Sequence, residues 1–182
     1  ETDSLIEALS RSEFTVTHLE IGTAAGGTLC KIVKHYLMRS PKVPKFLVID
    51  SFKYFPDQFE LVKRNLKQNG IDESLISFHK ANSYDVFNEF DTNGLELDFI
   101  LIDANHKLKY VIADLRFTRF LRSGGILCVH DYSLKHRGVY IACNHFMKKY
   151  ENYSLISKVG SLLILKKERE SKSLEISLFT LL

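Results

Sequence analysis

The chain lacks most features that would tie it to a membrane, to nucleic acid or to an oxidising compartment. It has only three cysteines in 182 residues, without a CxxC pair, and its formal net charge is +3. An odd set of cysteines in apolar or helical surroundings is typical of reduced core thiols, not of a disulfide framework or a zinc site. No apolar run approaches the ~20 residues that span a bilayer. We therefore expect a cytoplasmic protein with neither a membrane nor a nucleic-acid partner.

Internal repeats, low-complexity tracts and linker-like stretches are absent as well, which predicts a single domain over residues 1–182. The content of 45% hydrophobic and 26% charged residues is that of an ordinary globular protein. The patterned core runs from about residue 17 to about residue 167. Residues 171–182 alternate between apolar and polar, which predicts a C-terminal edge strand or the contact of a homodimer.

Short β-rich runs alternate with longer helical patterns, which predicts an α/β fold. Two runs, Phe46–Ile49 and Phe99–Ile102, are continuously apolar, as in parallel strands covered on both faces. The alternation indicates a Rossmann-like, doubly wound, mostly parallel seven-stranded sheet with a C-terminal antiparallel hairpin. The predicted strands are Thr17–Ile21, Phe46–Asp50, Leu75–His79, Leu97–Asp103, Gly125–His130, Tyr153–Lys158 and Ser161–Lys167. The predicted helices are Thr28–Met38, Asp57–Asn69, Tyr84–Phe90, Lys107–Arg122 and Gly138–Tyr150.

A polar side chain closes or follows five of the predicted strands. In an open α/β sheet, ligands bind beyond the carboxyl ends of the strands, near the point where the strand order reverses. Strands often stop at an acid by chance, but five such ends in succession favour a ligand site. The five residues are Glu20, Asp50, Asn82, Asp103 and Asp131.

The first of these ends leads into a glycine-rich turn, Glu20–Thr28. A dinucleotide-binding loop has the pattern G-x-G-x-x-G, and Ala24 stands where its second glycine belongs. The charge of Glu20 would also repel a pyrophosphate, whereas it would attract an ammonium or sulfonium group. A cationic ligand with a ribose and an adenine therefore fits the turn better than NAD does, and a nucleotide-dependent oxidoreductase is the less favoured alternative.

Four stretches together resemble the class I S-adenosylmethionine-dependent methyltransferases. The resemblance is closest to the small-molecule O-methyltransferase subgroup that includes macrocin O-methyltransferase-like enzymes. It implies a small-molecule hydroxyl as the methyl acceptor and covers roughly the whole patterned core. The stretches are Glu20–Thr28, Val48–Phe52, Leu101–His106 with Ala113–Leu115, and Gly124–Tyr132.

The resemblance also implies which residues hold the cofactor, S-adenosylmethionine. Asp50 would accept hydrogen bonds from both ribose hydroxyls, and Phe52 would border the adenosine. Asn82 and Ser83 occupy the position that reads the adenine edge. The implied cofactor residues are Glu20, Gly22, Thr23, Ala24, Gly26, Thr28, Asp50, Ser51, Phe52, Asn82, Ser83 and Asp103.

Catalysis and metal binding are predicted at the ends of the fourth and fifth strands. The resemblance implies a divalent metal, Mg²⁺ or Mn²⁺, held by Asp103, His130 and Asp131, which would lower the pKa of a bound hydroxyl. The relatives often have two consecutive acids at the second site, where this chain has His130-Asp131. Imidazole ligation would favour softer ions. The metal therefore stays a hypothesis.

His106 and Asp103 are the predicted catalytic residues. The pKa of histidine lies near working pH, which suits a general base, although His106 could instead brace the following helix. Asn105 stands where some relatives have an acidic base. Together with His130, it leaves open a cofactor-binding protein with reduced or lost catalysis. The run Lys135–Arg137 is interpreted as a solvated loop rather than as a border of the substrate mouth.

Overall fold

The computed structural model describes residues 1–10, 14, 16–39, 43–91 and 94–168. Within these residues, seven strands form one sheet in the order β3-β2-β1-β4-β5-β7-β6. The strands are β1 (Thr17–Ile21), β2 (Lys45–Asp50), β3 (Ile76–Lys80), β4 (Leu97–Ile102), β5 (Leu121–Val129), β6 (Tyr153–Val159) and β7 (Leu162–Lys167). The α-helices are α1 (Thr2–Ser10), α2 (Gly27–Arg39), α3 (Gln58–Gln68), α4 (Ser83–Asp91), α5 (Leu108–Leu115) and α6 (Arg137–Lys149).

The strand directions confirm the predicted fold class. Strands β3, β2, β1, β4 and β5 are parallel neighbours. Strand β7 runs antiparallel to both β5 and β6, so the last two strands form the expected hairpin. The order reverses between β1 and β4, because the chain crosses from β3 at one edge back to the middle of the sheet. This reversal puts the ligand crevice beyond the carboxyl ends of β1 and β4.

Helices cover both faces of the sheet. Because side chains alternate along a strand, β1 directs Leu19 and Ile21 to the face packed by α4, α5 and α6. Val48 of β2 and Leu101 of β4 belong to the opposite core, with residues of α1, α2 and α3. Both cores are filled by fully buried aliphatic and aromatic side chains, so the sheet gives the residues at its carboxyl edge a rigid base.

Two predicted boundaries are wrong. The helix predicted over Lys107–Arg122 ends at Leu115, a 3₁₀ turn follows, and β5 begins at Leu121 instead of Gly125. The pair Gly124-Gly125 lies inside β5, and Gly124 has φ +82°. The register between β4 and β5 shifts at this point: Leu97 pairs with Leu121, whereas Phe99, two residues later, pairs with Ile126. The strand bulges instead of ending.

Helix α1 was not predicted from the sequence; it buries Leu5, Ala8 and Leu9 and contacts α2 and β5. The edge strand or dimer contact predicted for residues 171–182 lies outside the described residues. None of the described helices is both long and apolar enough to cross a membrane.

Candidate functional site

The glycine turn after β1 is held directly against the ends of its neighbours. Gly22 has φ +82°, and its N–H donates to the carbonyl oxygen of Ile49 at 2.9 Å. A Cβ atom at this position would lie 2.3 Å from the carbonyl oxygen of Asp103. Only glycine satisfies both the backbone angle and the close approach. The turn closes at Gly26, whose N–H donates to Thr23 at 2.7 Å, and α2 begins one residue later.

Asp50, at the end of β2, fixes the shape of the glycine turn. Its Oδ2 accepts from the Thr23 N–H at 2.8 Å, and its Oδ1 accepts from the Phe52 N–H at 2.6 Å. The carboxylate therefore ties the turn to the residues that follow β2. Ser51 is half-buried between them, and the Phe52 ring packs edge-on against Phe59 at 4.8 Å.

Two amides on α3 brace the same turn, and sequence reasoning missed both. Gln58 is buried, and its Nε2 donates to the Ala24 carbonyl at 3.1 Å and to Asp50 at 3.3 Å. Asn65 donates to the Ala25 carbonyl at 2.8 Å. The two amides are seven residues apart, so they share one face of the helix. The sequence carries no local signal for these contacts, because the two carbonyl partners lie 34 and 40 residues earlier in the chain.

Left-handed backbone is concentrated at this edge of the sheet. Among the described residues, Ala24, Phe52, Asp57 and Asp131 are the non-glycine residues with positive φ. Such a conformation costs about 1–2 kcal/mol for a residue with a side chain. Ala24 and Phe52 flank the Asp50 carboxylate, and Asp131 follows β5. Strained backbone held in place by its surroundings is typical of binding and catalytic sites.

Glu20 is a buried acid at the mouth of the glycine turn. It is 5% exposed, and within the described structure its Oε2 has no hydrogen-bond partner. Burial raises the pKa of Glu20 to about 8, and the negative charges of Asp103 and Asp50 act in the same direction. A cationic donor that reached Oε2 would relieve this burial cost.

The predicted adenine-edge residues lie at the start of α4. The Asn82 amide donates to Asp85 at 2.8 Å. The Ser83 hydroxyl donates to the carboxyl group of Asp114 on α5, a short contact between two buried side chains. Burial raises the pKa of Asp114 to about 7. The Ser83 side chain is thus committed to the protein, and its predicted contact with adenine stays a prediction.

The three predicted metal ligands come together at the ends of β4 and β5. The Nδ1 atom of His130 lies 3.3 Å from Asp103 Oδ1 and 3.3 Å from Asp131 Oδ2. The other ring nitrogen lies 3.0 Å from Glu1 Oε2. The contact with Asp103 raises the pKa of His130 to about 10. A proton on the imidazole is therefore favoured by the negative charges of the two carboxylates.

His106 and His136 also contact the Asp131 carboxylate. His106 Nε2 lies 3.0 Å from Asp131 Oδ2, and His136 Nε2 lies 3.5 Å from Asp131 Oδ1. The two imidazole rings are 4.2 Å apart between centroids. Interpreting Lys135–Arg137 as a solvated loop is therefore wrong for His136. His136 follows Asp131 by five residues, and the contact was missed because it depends on how the loop between β5 and α6 folds.

The strand order, the glycine turn and the acids that follow the strands define a class I methyltransferase fold. The family model described as a methyltransferase domain matches residues 19–132, and the chain belongs to this family. It is therefore an S-adenosylmethionine-dependent methyltransferase, and the oxidoreductase alternative falls away. A search of curated proteins found no significant match.

Solved structures share the fold at low sequence identity. The O-methyltransferase NovP is 16% identical with a TM-score of 0.76, over 92% of this chain and 78% of that one. CalS11, a TDP-rhamnose 3'-O-methyltransferase of calicheamicin biosynthesis, is 14% identical with a TM-score of 0.71, over 91% and 76%. TomG from Streptomyces achromogenes, solved with S-adenosylmethionine, is 18% identical with a TM-score of 0.69, over 91% and 78%. At these identities the similarity establishes the fold only, and the methyl acceptor has to be inferred from the residues of the site.

Proposed function

We propose that this chain transfers the methyl group of S-adenosylmethionine to a hydroxyl group of a small molecule. The observation that carries the proposal is the convergence of the polar strand ends on one crevice. Gly22 of the glycine turn lies so close to the Asp103 backbone that a Cβ atom would collide with it, and Asp103 and Asp131 both contact His130. The glycine turn suits a cationic nucleoside, and the cluster of Asp103, His130 and Asp131 suits an acceptor that must lose a proton.

Glu20 and the glycine turn fit the amino-acid end of the cofactor. The unpartnered Oε2 of Glu20 would accept a hydrogen bond from the ammonium group, and a neighbouring positive charge would favour the ionised carboxylate. Gly22 lacks the Cβ atom that would collide with the backbone at Asp103. Asp50 would accept from the ribose hydroxyls, since its carboxylate is already oriented by two backbone N–H groups.

Asp103 is the group that we assign to proton transfer. Its N–H donates to the Ile21 carbonyl at 2.9 Å, next to the glycine turn, and its side chain is 38% exposed at the crevice. When bound, S-adenosylmethionine supplies an activated methyl group. The hydroxyl proton would pass to the Asp103 carboxylate as the acceptor oxygen bonds to the methyl carbon and the sulfur–carbon bond of the cofactor breaks. His106, oriented by Asp131, is the second candidate for the base.

A divalent metal would be held by Asp103, His130 and Asp131 according to the sequence prediction. The ligand atoms of these residues lie within 4.8 Å of one another, so the donor set fits a single ion. The proton on His130 would have to leave first. Bound there, Mg²⁺ or Mn²⁺ would lower the pKa of the acceptor hydroxyl, while Asp103 and Asp131 would fix its place.

Calorimetry with S-adenosylmethionine and S-adenosylhomocysteine tests the first half of the proposal. We expect one cofactor per chain, and failure of both ligands to bind would refute it. Mass spectrometry of a panel of sugars, phenols and other hydroxyl compounds tests the second half. The expected product is heavier by one methylene group and appears together with S-adenosylhomocysteine.

The same assay decides the second hypothesis, a cofactor-binding protein with reduced or lost catalysis. Asn105 favours this reading, because its Oδ1 accepts from the Lys107 N–H at 2.9 Å at the start of α5 and does not replace the acid of the relatives. Cofactor binding without turnover on any acceptor, with and without Mg²⁺ or Mn²⁺, would favour the binding protein. The homodimer and the cytoplasmic location stay predictions.

A further inference from the structure

Three side chains from two loops meet beside the crevice: His106 after β4, and both Asp131 and His136 in the loop between β5 and α6. Their ligand atoms lie within 4.8 Å of one another, and each histidine turns its Nε2 toward a different oxygen of Asp131. We propose that His106, Asp131 and His136 bind a divalent transition-metal ion such as Zn²⁺ or Fe²⁺. This set shares only Asp131 with the ligands expected from the sequence.

The backbone holds the three donors in place without an ion. Asp131 is in the left-handed region at φ +57°, and its carbonyl oxygen accepts from the Ser133 N–H at 2.8 Å. The His136 N–H donates to the Ser133 carbonyl at 3.0 Å, which closes the loop before α6. At Gly138, a Cβ atom would lie 2.2 Å from the His106 carbonyl oxygen. The start of α6 therefore packs directly on the His106 backbone. These backbone contacts preorganise the three donors for an ion.

The donor chemistry favours a transition metal over Mg²⁺. Two imidazoles and one carboxylate make up the set that non-haem iron sites use, and imidazole also suits zinc, whereas Mg²⁺ prefers oxygen ligands. The side chains of His106, Asp131 and His136 are 39%, 23% and 24% exposed. They are buried enough to be ordered, and open enough to leave coordination positions for water or an acceptor oxygen.

The use of this ion in catalysis rests on the proposed function, whereas its binding does not. As a metal ligand, His106 has its Nε2 lone pair on the ion and does not take the acceptor proton through that atom. Asp103, which lies outside the trio, then remains as the base. The ion would hold the acceptor oxygen and lower its pKa.

Metal titration of the untagged 182-residue chain tests the proposal. Co²⁺ serves as the spectroscopic probe, since its visible absorption reports imidazole ligation, and calorimetry measures Zn²⁺ and Mg²⁺. We expect one Co²⁺ per chain, displaced by Zn²⁺ and not displaced by Mg²⁺ at a similar concentration. Absence of Co²⁺ and Zn²⁺ binding would overturn the proposal.

Three variants locate the ion. His136→Asn removes one ligand but keeps a residue that begins helices well. We expect Co²⁺ and Zn²⁺ to bind at least about 10-fold more weakly, since the loss of a residue that only orients a metal ligand already costs that much. His145→Asn, at an exposed position of α6, is the matched control and should bind as the parent does. His130→Asn should also keep the ion. Loss of binding in His130→Asn but not in His136→Asn would overturn the proposal, because the ion would then lie at the Asp103 cluster.

Calorimetry with S-adenosylhomocysteine on the same samples separates this inference from the proposed function. Cofactor binding without Zn²⁺ binding overturns the metal site alone. Zn²⁺ binding that His136→Asn weakens, without cofactor binding, supports the metal site and overturns the proposed function. Thermal unfolding of each variant confirms that the chain remains folded.

Discussion

The two halves of the crevice are held together by different kinds of contact. On the cofactor side, which comprises the turn 22–28 with Asp50, Gln58 and Asn65, each side-chain group bonds to backbone atoms of the turn or of its neighbours. On the acceptor side, the contacts join titratable side chains to one another. Its members are Asp103, His106, His130, Asp131 and His136.

The cofactor side is therefore shaped mainly by hydrogen bonds to the backbone, whereas the acceptor side is arranged by contacts between charged groups. Backbone N–H and carbonyl groups do not titrate, so the bonds that shape the cofactor turn depend on pH only through their carboxylate partner. The acceptor side is an arrangement of carboxylates and imidazoles, whose contacts change with protonation or with a bound ion. Substitutions should therefore affect cofactor binding and stability on one side, and turnover and metal binding on the other.

The largest effect is expected at Glu20, the buried acid that precedes the glycine turn. Its pKa is raised to about 8 in the folded chain, whereas an unfolded glutamate titrates near pH ~4.3. Between these values the folded state holds a proton that the unfolded state has lost. Stability therefore falls as pH rises through this window, by at most about 1.4 kcal/mol per pH unit for this group.

Glu20→Gln removes this titration, so its free energy of unfolding should fall less steeply between about pH 5 and pH 8. Urea unfolding across that range, with Glu60→Gln at an exposed position of α3 as the control, measures the difference. Parallel curves for the parent and Glu20→Gln would contradict the raised pKa.

The second effect concerns the close approach of β1 and β4. Gly22→Ala combines a left-handed backbone with a Cβ atom 2.3 Å from the Asp103 carbonyl oxygen. Strain and overpacking together should cost about 3 kcal/mol or more, and cofactor binding should be lost with the turn. Gly27→Ala is the matched control, since a Cβ atom there has no neighbour within 4 Å. Equal free energies of unfolding for the two variants would contradict this prediction, because the turn would then accommodate the Cβ atom without strain.

Most of the fold could be predicted because its signals are local. The apolar runs of β2 and β4 and the short gap before β7 are read directly from neighbouring residues. Helix α1 was missed because residues 2–10 are a short amphipathic stretch that is completed by contacts with distant α2 and β5. The early start of β5 was missed because a bulge and a turn both use glycine, and only pairing with β4 tells them apart.

The residues of the site likewise fall into those that local sequence signals predict and those that depend on contacts made by the fold. The glycine turn and the acids at the strand ends could be predicted from spacing. Gln58 could not, because a buried glutamine on a helix gains its meaning from the Ala24 carbonyl 34 residues away. The contact of His136 with Asp131 likewise depends on the loop before α6, and the sequence pattern there is that of a charged surface.

Asp131→Asn tests the acceptor side alone. Asparagine tolerates the left-handed backbone of this position, so the free energy of unfolding should change by less than about 1 kcal/mol. Turnover should fall about 100-fold or more, since the residue that orients His106 and holds the ion loses its charge. Calorimetry should give an unchanged affinity for S-adenosylhomocysteine. A large loss of that affinity would mean that the two sides are not separable.

Asp50→Asn makes the converse change on the cofactor side and should have the smallest effect of the four. The Asn Oδ1 can keep one of the two backbone hydrogen bonds, so the turn should persist, while the charge facing the ribose is lost. A hydrogen bond to a charged group contributes about 1.5–3 kcal/mol, which corresponds to about 10- to 100-fold weaker S-adenosylhomocysteine binding. Asp57→Asn is the control, because Asp57 is exposed and already left-handed. Metal affinity should stay unchanged in both variants, and a parallel loss of metal and cofactor affinity in Asp50→Asn would contradict the separation of the two sides.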